Sequence, residues 1–360
     1  GTGKVTLSNI NSLSPSVSEL ELARYIATDW QPFSPISPLA VEVVRQFLNL
    51  IVRDRYGDWV MTRKPNQLTR GWKGMISEAV SIAFSRHSAS DSKGYDFCAH
   101  VDHFLPGGFL HLPDLDVRKL KGHQRRFRPD YLLAASNFRP YSAADIESNR
   151  VGSMEVKGKS RSIIGKVSKD QKKQSKNLLL YRIHSDGSKT NIPIRQKLLS
   201  QVRCNNSLEG LEQRTVAVRH SNSLDNSEKE DPALFFTVVM AHYMRVIDQI
   251  TEQEIRPTIS TFFRAFHSED PFKEKAGLHI LSAINAREKK LQNSGLFSIS
   301  PELNQFFEML FRGKFQKFPQ DDQIPILLAE ELKRIEEASA KRKASENKHY
   351  GKDGIIFHLR

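Results

Sequence analysis

Two short apolar stretches with acidic side chains decide the fold that this sequence predicts. The first is Phe127-Arg128-Pro129-Asp130-Tyr131-Leu132-Leu133, and the second contains Glu155-Val156-Lys157, 25 residues after Asp130. Each belongs to a short apolar run, which favours a β-strand. Because side chains alternate along a strand, Glu155 and Lys157 share one face. We therefore expect Asp130, Glu155 and Lys157 to meet at neighbouring strand ends.

The chemistry of these three side chains indicates metal-dependent hydrolysis. Mg²⁺ prefers oxygen ligands and commonly uses one or two carboxylates together with a substrate phosphate. Asp130 and Glu155 would supply such ligands, and Lys157 would orient a water or offset negative charge in the transition state. The three groups are therefore suited to holding Mg²⁺ and an attacking water against a phosphodiester.

The pattern Pro129-Asp130 followed by Glu155-Val156-Lys157 resembles the PD-(D/E)xK nuclease superfamily, whose fold is called restriction-endonuclease-like. The resemblance covers roughly residues 70–242 and implies an α/β fold with an αβββαβ core around a mixed central sheet. It also implies a Mg²⁺-dependent endodeoxyribonuclease, with Mn²⁺ able to substitute. Asp130, Glu155 and Lys157 would be catalytic, and Asp130 and Glu155 would bind the metal.

The same resemblance implies further site residues on the helices that flank the strands. Many members of the superfamily carry a glutamate on the helix before the sheet, which assigns Glu78 as a catalytic residue and third metal ligand. Some members place a glutamine near the active site on the following helix, where this chain has Gln171 and Gln174. The competing interpretation of Glu78 is an ordinary residue on the polar face of an amphipathic helix.

The Glu-x-Lys spacing is not specific by itself. It recurs at Glu288–Lys290, Glu331–Lys333 and Glu346–Lys348, all within charged segments for which solvated helices are predicted. For Glu155 and Lys157 the competing interpretation is a salt bridge on an exposed edge strand. Only this pair follows an apolar strand start and a Pro-Asp on another strand, so the nuclease-like site is favoured.

A second group of polar side chains offers a rival metal site. It consists of His100, Asp102, His103, His111, Asp114 and Asp116. Imidazoles and carboxylates bind transition metals, but the group lacks cysteine ligands and a recognisable zinc spacing. Pro106-Gly107-Gly108 between its halves favours a polar hairpin. Asp114 or Asp116 would replace Asp130 as the strand acid if the strand assignment were shifted.

The net charge indicates a polyanionic partner. The chain carries +13, whereas the segment from Arg118 to Arg203 holds 21 Lys and Arg against 6 Asp and Glu, a net +15. A basic excess confined to one segment is typical of nucleic-acid binding, and DNA is the expected partner. A solvated basic helix is the alternative for part of this segment. The proposed phosphate contacts are Arg125, Arg126, Arg128, Lys159, Lys169, Lys172, Lys173 and Lys176.

Hydrophobic periodicity divides the chain into three parts. We expect an N-terminal helical element over 1–69, the nuclease-like core over 70–242 and a C-terminal helical domain over 243–360. Before residue 243, helices are predicted over 19–28, 38–56, 71–86, 167–180 and 193–202, and strands over 95–104, 126–134, 151–156, 214–219 and 234–242. After it, helices are predicted over 243–256, 258–267, 271–293, 301–312 and 322–346, with a short strand within 354–360.

The composition bounds the location and the partners of the protein. Two cysteines, Cys98 and Cys204, are too few for a disulfide framework, which favours a reducing compartment and hence the cytoplasm. No apolar run approaches the roughly 18 residues of a membrane helix, so no membrane partner is expected. The near-neutral C-terminal domain would suit other subunits of a larger complex, and a homo-oligomer is compatible with the sequence.

Other classes of function remain open at this stage. The alternative to a nuclease is a non-catalytic nucleic-acid-binding protein, or an interaction subunit of a larger complex that uses the same fold. RNA is not excluded as the nucleic acid, although no aromatic RNA-binding signature is present. For a nuclease, the sequence does not choose among restriction, phage defence, transposition and repair.

Overall fold

The computed structural model describes the chain in segments. The described residues are 5–11, 17–29, 44–53, 55, 59–61, 69–104, 115–117, 130–135, 151–159, 180–184, 186–192, 194, 196–203, 212–220, 232–251, 255–264, 271–291, 297–312, 324–343 and 347–358. The helices are α1 Glu19–Asp29, α2 Arg70–Lys93, α3 Pro232–Ile250, α4 Arg256–Arg264, α5 Pro271–Leu291, α6 Pro301–Phe311 and α7 Ile324–Lys341.

The strands form one large sheet and several small ones. They are β1 Val5–Asn11, β2 Ile51–Arg53, β3 Trp59–Met61, β4 Phe97–His100, β5 Leu115–Val117, β6 Tyr131–Ala134, β7 Val151–Lys159, β8 Leu180–Ile183, β9 Lys189–Ile192, β10 Gln196–Arg203, β11 Glu212–His220, β12 Phe297–Ile299, β13 Lys348–Tyr350 and β14 Ile355–His358. The small sheets are β2-β3, β5-β8-β9 and β12-β14-β13.

The central sheet has six strands in the spatial order β1-β11-β10-β7-β6-β4. β4, β6 and β7 are antiparallel neighbours, and β10 runs parallel to β7. β11 and β1 extend the sheet with antiparallel pairing. The chain is therefore a mixed α/β protein with a mixed central sheet, which confirms the expected fold class at this level.

The register of the central sheet brings the predicted site residues to adjacent strands. Tyr131, the first residue of β6, pairs with Met154 on β7, so Asp130 comes beside Glu155. On the other side of β7, Lys157 pairs with Gln201 of the parallel strand β10. Paired residues point to the same face of a sheet, so these side chains share one face.

Helix α2 packs against the opposite face of the sheet. Ser85 Oγ of α2 donates a hydrogen bond to Ser200 Oγ of β10 at 2.6 Å. The helix predicted over 71–86 is confirmed, and it continues to Lys93. Gly94 ends it with a φ of 67° and donates its N–H to the carbonyl oxygen of Ser90 at 2.8 Å. Glycine adopts this left-handed conformation without steric cost, which explains the stop.

Helix α3 covers part of the face that carries the site residues. The ring centroid of Phe97 on β4 lies 5.5 Å from that of His242 and 5.6 Å from that of Tyr243, both on α3. The strand predicted over 234–242 is therefore wrong, because these residues belong to α3. Most side chains from 234 to 248 are buried, and a helix buried on nearly all sides loses the one-sided apolar pattern.

The helix predicted over 193–202 is also wrong, since residues 196–203 form β10 in the interior of the sheet. Leu198, Leu199 and Val202 have the spacing of an amphipathic helix, but a strand covered on both faces has the same apolar content. The helix predicted over 38–56 ends at residue 48, and its first residues, 38–43, lie outside the described residues. Residues 44–48 are helical, whereas Ile51 and Val52 lie in β2 and pair with β3.

The C-terminal part is mainly helical, as predicted. α4, α5, α6 and α7 correspond to the four helices expected after residue 257, and β14 confirms the short strand expected within 354–360. The helix expected over 243–256 is the second half of α3. Among the described helices, none combines the length and apolarity needed to cross a membrane.

A buried ionic cluster joins the β13–β14 hairpin to α1 and α3. Arg24 of α1 forms an ion pair with Asp353, whose side chain is fully buried between the two hairpin strands. His242 Nε2 lies 2.8 Å from Asp353 Oδ2, and Tyr243 OH donates to the Asp353 carbonyl oxygen at 2.9 Å. The carboxylate of Asp353 is thus surrounded by positive and polar partners.

Candidate active site

Asp130 is held at the start of β6 by hydrogen bonds on both sides. Its carboxylate oxygen Oδ2 accepts the N–H of Val156 at 3.0 Å. Its carbonyl oxygen accepts the N–H of Val101 at 3.0 Å. These bonds fix the carboxylate against β7, next to Glu155. Asp130 is half-buried, so it faces both the protein and the solvent.

Glu155 and Lys157 form an ion pair with unequal burial. Lys157 Nζ lies 2.5 Å from Glu155 Oε1, and the lysine side chain is 40% exposed whereas that of Glu155 is 0% exposed. The second oxygen, Glu155 Oε2, accepts no hydrogen bond from any group in the part of the chain that the structure describes. The pair therefore has a buried, acceptor-rich end and an ammonium that reaches solvent.

The electrostatics of this pair favour the binding of a cation. Burial raises the pKa of Glu155 to about 8, and the negative charge of Asp130 adds to the rise, while Lys157 opposes it. Burial would lower the pKa of Lys157, but the hydrogen bond and charge of Glu155, with the charges of Asp130 and Glu78, raise it instead. One ammonium is therefore not enough to keep Glu155 ionised at neutral pH.

Glu78 lies on the helix α2, whereas Lys157 lies on the strand β7. The two are close enough for the charge of Glu78 to raise the pKa of Lys157. Glu78 is an exposed residue on α2. A Cβ atom added to Gly158 would lie 2.6 Å from Ser77 Oγ and 2.7 Å from the Ser77 carbonyl oxygen. Only glycine allows this approach of β7 to α2, so Gly158 sets the separation between Glu78 and Lys157.

The donor set fits a hard divalent cation held by two carboxylates. Asp130 and Glu155 are adjacent, and Glu155 Oε2 is buried without a hydrogen-bond donor. No group of three or more His, Cys, Asp or Glu side chains suited to a metal occurs in the described segments, so Glu78 does not complete a three-carboxylate site there. Mg²⁺ is commonly bound by one or two carboxylates with waters and substrate phosphate, so two suffice.

Gln201 is a site residue that the sequence prediction missed. It is 1% exposed, lies on β10 in register with Lys157 and points to the same face. It was assigned to a helix because Leu198, Leu199 and Val202 have helical spacing. The need for a further strand beside the one that carries Glu155 is the signal that could have located it.

The rival cluster does not form a metal site in the described segments. His100 Nδ1 lies 3.6 Å from Asp102 Oδ2, but the same nitrogen is 3.2 Å from the N–H of Asp102 and accepts its hydrogen bond. Burial lowers the pKa of His103 to about 3, and the charge of Arg245 adds to this effect. Asp116 lies on β5 of a separate small sheet, so it does not replace Asp130.

Several predicted residues lie outside the described residues. These are Arg125, Arg126, Arg128, Lys169, Lys172, Lys173 and Lys176, together with Gln171, Gln174, His111 and Asp114. Lys159 is the last residue of β7, but its side chain is not among those described. The predicted helix over 167–180 also falls there, except for residue 180, which begins β8. The proposed phosphate contacts therefore stay predictions.

Comparison with known proteins provides no further guide to the site. No family model, no curated protein and no solved structure matches the chain. The functional argument accordingly depends on the geometry and chemistry of Asp130, Glu155 and Lys157.

Proposed function

We propose that the protein is a Mg²⁺-dependent endodeoxyribonuclease that hydrolyses phosphodiester bonds at Asp130, Glu155 and Lys157. The observation that carries the proposal is the buried Glu155 carboxylate, which lies beside a second acid and a lysine and has one oxygen without a donor in the described segments. Burying such a carboxylate is costly, and strongly raised pKa values concentrate at functional sites.

The strand order supports the proposal. A helix, α2, precedes three antiparallel strands, β4, β6 and β7, and β10 then runs parallel to β7. These elements are compatible with the first helix, the three strands and the last strand of the αβββαβ core that the restriction-endonuclease-like resemblance implies, whereas its second helix would fall in residues 160–179, outside the described residues. Asp130 lies just before the second strand of this unit, β6, and Glu155 and Lys157 lie on its third strand, β7.

Each side chain has a distinct role in the proposed reaction. Asp130 and Glu155 would hold Mg²⁺ (or Mn²⁺), which supplies positive charge against the phosphodiester and so favours attack by water. Lys157 extends from the buried pair to solvent, where its ammonium can orient the water or stabilise charge on the phosphate in the transition state. Glu78 would act from α2 through its charge on Lys157.

The test is divalent-metal-dependent cleavage of supercoiled, linear and single-stranded DNA. Asp130→Ala, Glu155→Gln and Lys157→Ala should each lose cleavage while remaining folded. Lys157→Arg should not restore it, because a planar guanidinium does not replace a compact ammonium. DNA binding should persist in the acid variants, because removing negative charge does not weaken contacts to phosphate.

The chain contains a matched control for this test. Glu331 and Lys333 have the same Glu-x-Lys spacing on the helix α7, where Lys333 is 67% exposed. Glu331→Gln and Lys333→Ala should therefore cleave as the wild type does. Wild-type activity in all three site variants would contradict the proposal. DNA binding by a wild-type protein that cleaves none of the three substrates would favour the non-catalytic alternative.

A further inference from the structure

Lys157 has two different neighbours on the face of the sheet that carries the candidate site. On its own strand, Glu155 Oε1 lies 2.5 Å from its Nζ. On the parallel strand β10, Gln201 lies beside it in register. The pairing of β7 with β6 ends at Tyr131 and Met154, so Gln201 is the cross-strand neighbour of Lys157 among the described strands.

Gln201 is a polar residue in the interior of the sheet. It is 1% exposed, and so is Leu199, which lies two residues earlier on the same face. Leu199 is in register with Glu155, whereas Gln201 is in register with Lys157. The apolar side chain of β10 therefore lies beside the acid, and the amide lies beside the lysine. An amide is costly to bury unless it forms hydrogen bonds, and its oxygen is a neutral acceptor for an ammonium.

A bound cation would change the partner of Lys157. A cation held by Asp130 and Glu155 competes with the ammonium for the same carboxylate. The two positive charges also repel each other, and the repulsion is stronger inside a protein than in water. Because lysine carries its charge on a flexible four-carbon stem, Lys157 would move into solvent unless a neutral acceptor held it beside the metal.

We propose that Gln201 is a positioning residue whose amide oxygen accepts a hydrogen bond from the Lys157 ammonium when a divalent cation occupies Asp130 and Glu155. This inference rests on the proposed function, since it takes the cation from that site. The change of partner leaves Glu155 to the metal and keeps the ammonium beside the phosphate. Gln201 acts on the cation affinity through Lys157 and does not bind the cation itself.

Glu78 is the competing acceptor for Lys157. Its charge acts on Lys157, but it is an exposed residue on α2, and α2 packs against the opposite face of the sheet. Gln201 is buried, belongs to the adjacent strand and points to the same face as Lys157. The register therefore favours Gln201 over Glu78.

The experiment measures the dissociation constant of Mg²⁺ for the full chain by isothermal titration calorimetry. Gln201→Met keeps the length of the side chain and removes the amide. It should weaken Mg²⁺ binding by about 10- to 150-fold, the contribution of one hydrogen bond to a charged group. Lys157→Met should strengthen binding, because it removes the competing positive charge. In the Lys157→Met background, Gln201→Met should change the dissociation constant by less than about twofold.

Ser200 supplies the matched control on the same strand. It is 0% exposed and forms a hydrogen bond with Ser85 on the opposite face of the sheet. Ser200→Ala should leave the Mg²⁺ dissociation constant within about twofold of wild type. Cleavage gives a second readout, in which Gln201→Met should lower kcat on the order of 100-fold at saturating Mg²⁺ with little change in KM. A catalytic group displaced by about 1 Å has a cost of that size.

The outcomes separate this inference from the proposed function. An equal loss of Mg²⁺ affinity from Gln201→Met with and without Lys157, or no loss in either background, overturns the inference even if the wild type cleaves DNA. Weaker Mg²⁺ binding in Glu78→Gln with unchanged binding in Gln201→Met also overturns it. A loss that requires Lys157 supports it even if the wild type cleaves nothing, in which case only the proposed catalysis fails. A chain that binds no Mg²⁺ overturns both.

Discussion

Two carboxylates in this molecule are equally buried but differ in their side-chain partners and in the direction of their pKa shifts. Glu155 in the candidate active site and Asp353 in the β13–β14 hairpin are both 0% exposed. Asp353 has Arg24 and His242 as side-chain partners, whereas Glu155 pairs with one half-exposed lysine, and its Oε2 has no hydrogen-bond donor among the described residues. Burial alone would raise the pKa of both acids.

The surroundings decide the outcome at each site. For Asp353, the charge of Arg24 and the hydrogen bond from His242 outweigh burial and lower the pKa. For Glu155, burial and the charge of Asp130 outweigh Lys157, and the pKa rises to about 8. A buried charge with full compensation is typical of a structural link, and one without it is typical of a binding or catalytic site. The contrast separates these two uses of a buried acid within one chain.

The largest expected change in the free energy of unfolding is at Asp353, the buried acid with two side-chain partners. Asp353→Asn leaves the guanidinium of Arg24 buried without its counter-charge, so the free energy of unfolding should fall by about 3–5 kcal/mol. Urea denaturation followed by circular dichroism measures the change. Arg24→Met combined with Asp353→Asn should recover part of the loss. A loss below about 1 kcal/mol, the range of exposed pairs, would contradict the structural role of the cluster.

The second prediction concerns Glu155, where neutralising the acid should stabilise the protein instead of destabilising it. Without divalent metal, Glu155→Gln should be more stable than wild type at pH 8, by on the order of a few kcal/mol, and similar to it at pH 5. The folded pKa of about 8 exceeds the unfolded value of about 4.3, so the folded wild type retains a proton between these values. Its stability therefore falls as the pH rises through that window.

The comparison with Asp353 provides the control for that pH dependence. Because its folded pKa is lowered, the stability that it contributes is present above its unfolded pKa and is lost only in acid, as the pH falls through the folded value. The wild-type and Asp353→Asn proteins should therefore converge towards low pH. Parallel stability curves for wild type and Glu155→Gln from pH 5 to 8 would show that Glu155 is not the titrating group.

The third prediction concerns Mg²⁺, which would supply Glu155 with the positive partner that Asp353 already has in Arg24. Mg²⁺ that binds only the folded protein stabilises it by about 2.7 kcal/mol at 100 times its dissociation constant. Wild type should show this gain in thermal or chemical unfolding, with the larger effect at pH 8, where the proton competes less. Asp130→Asn and Glu155→Gln should show little gain. Equal stabilisation of all three proteins would place the metal elsewhere.

The smallest change in the free energy of unfolding is expected at an ion pair on the surface. Lys333 and Glu337 on α7 are 67% and 57% exposed and lie 3.7 Å apart. Glu337→Ala should change the free energy of unfolding by no more than about 0.5 kcal/mol, because exposed pairs are weak and screened by salt. A loss comparable to that in Asp353→Asn would mean that burial does not explain the difference between the two acids.

The sequence predicted the proximity of Asp130, Glu155 and Lys157 better than it predicted the elements around them. Alternation along β7 was enough to put Glu155 and Lys157 on one face, because a strand fixes that geometry locally. Gln201 was missed because β10 is a strand only through its pairing with β7 and β11, a contact that local spacing does not encode. The first half of α3, residues 234–242, favours a strand in the sequence for the converse reason, since a helix buried between other elements shows no polar face.

The pairing of Arg24 with Asp353 has a consequence for the timing of synthesis. The two residues are 329 positions apart. At about 5–20 residues per second, a ribosome would need on the order of tens of seconds to reach the second after making the first. Until then the guanidinium of Arg24 on α1 lacks Asp353, its ion-pair partner. We therefore expect the Arg24 side of α1 to reach its final packing only after the hairpin has left the ribosome.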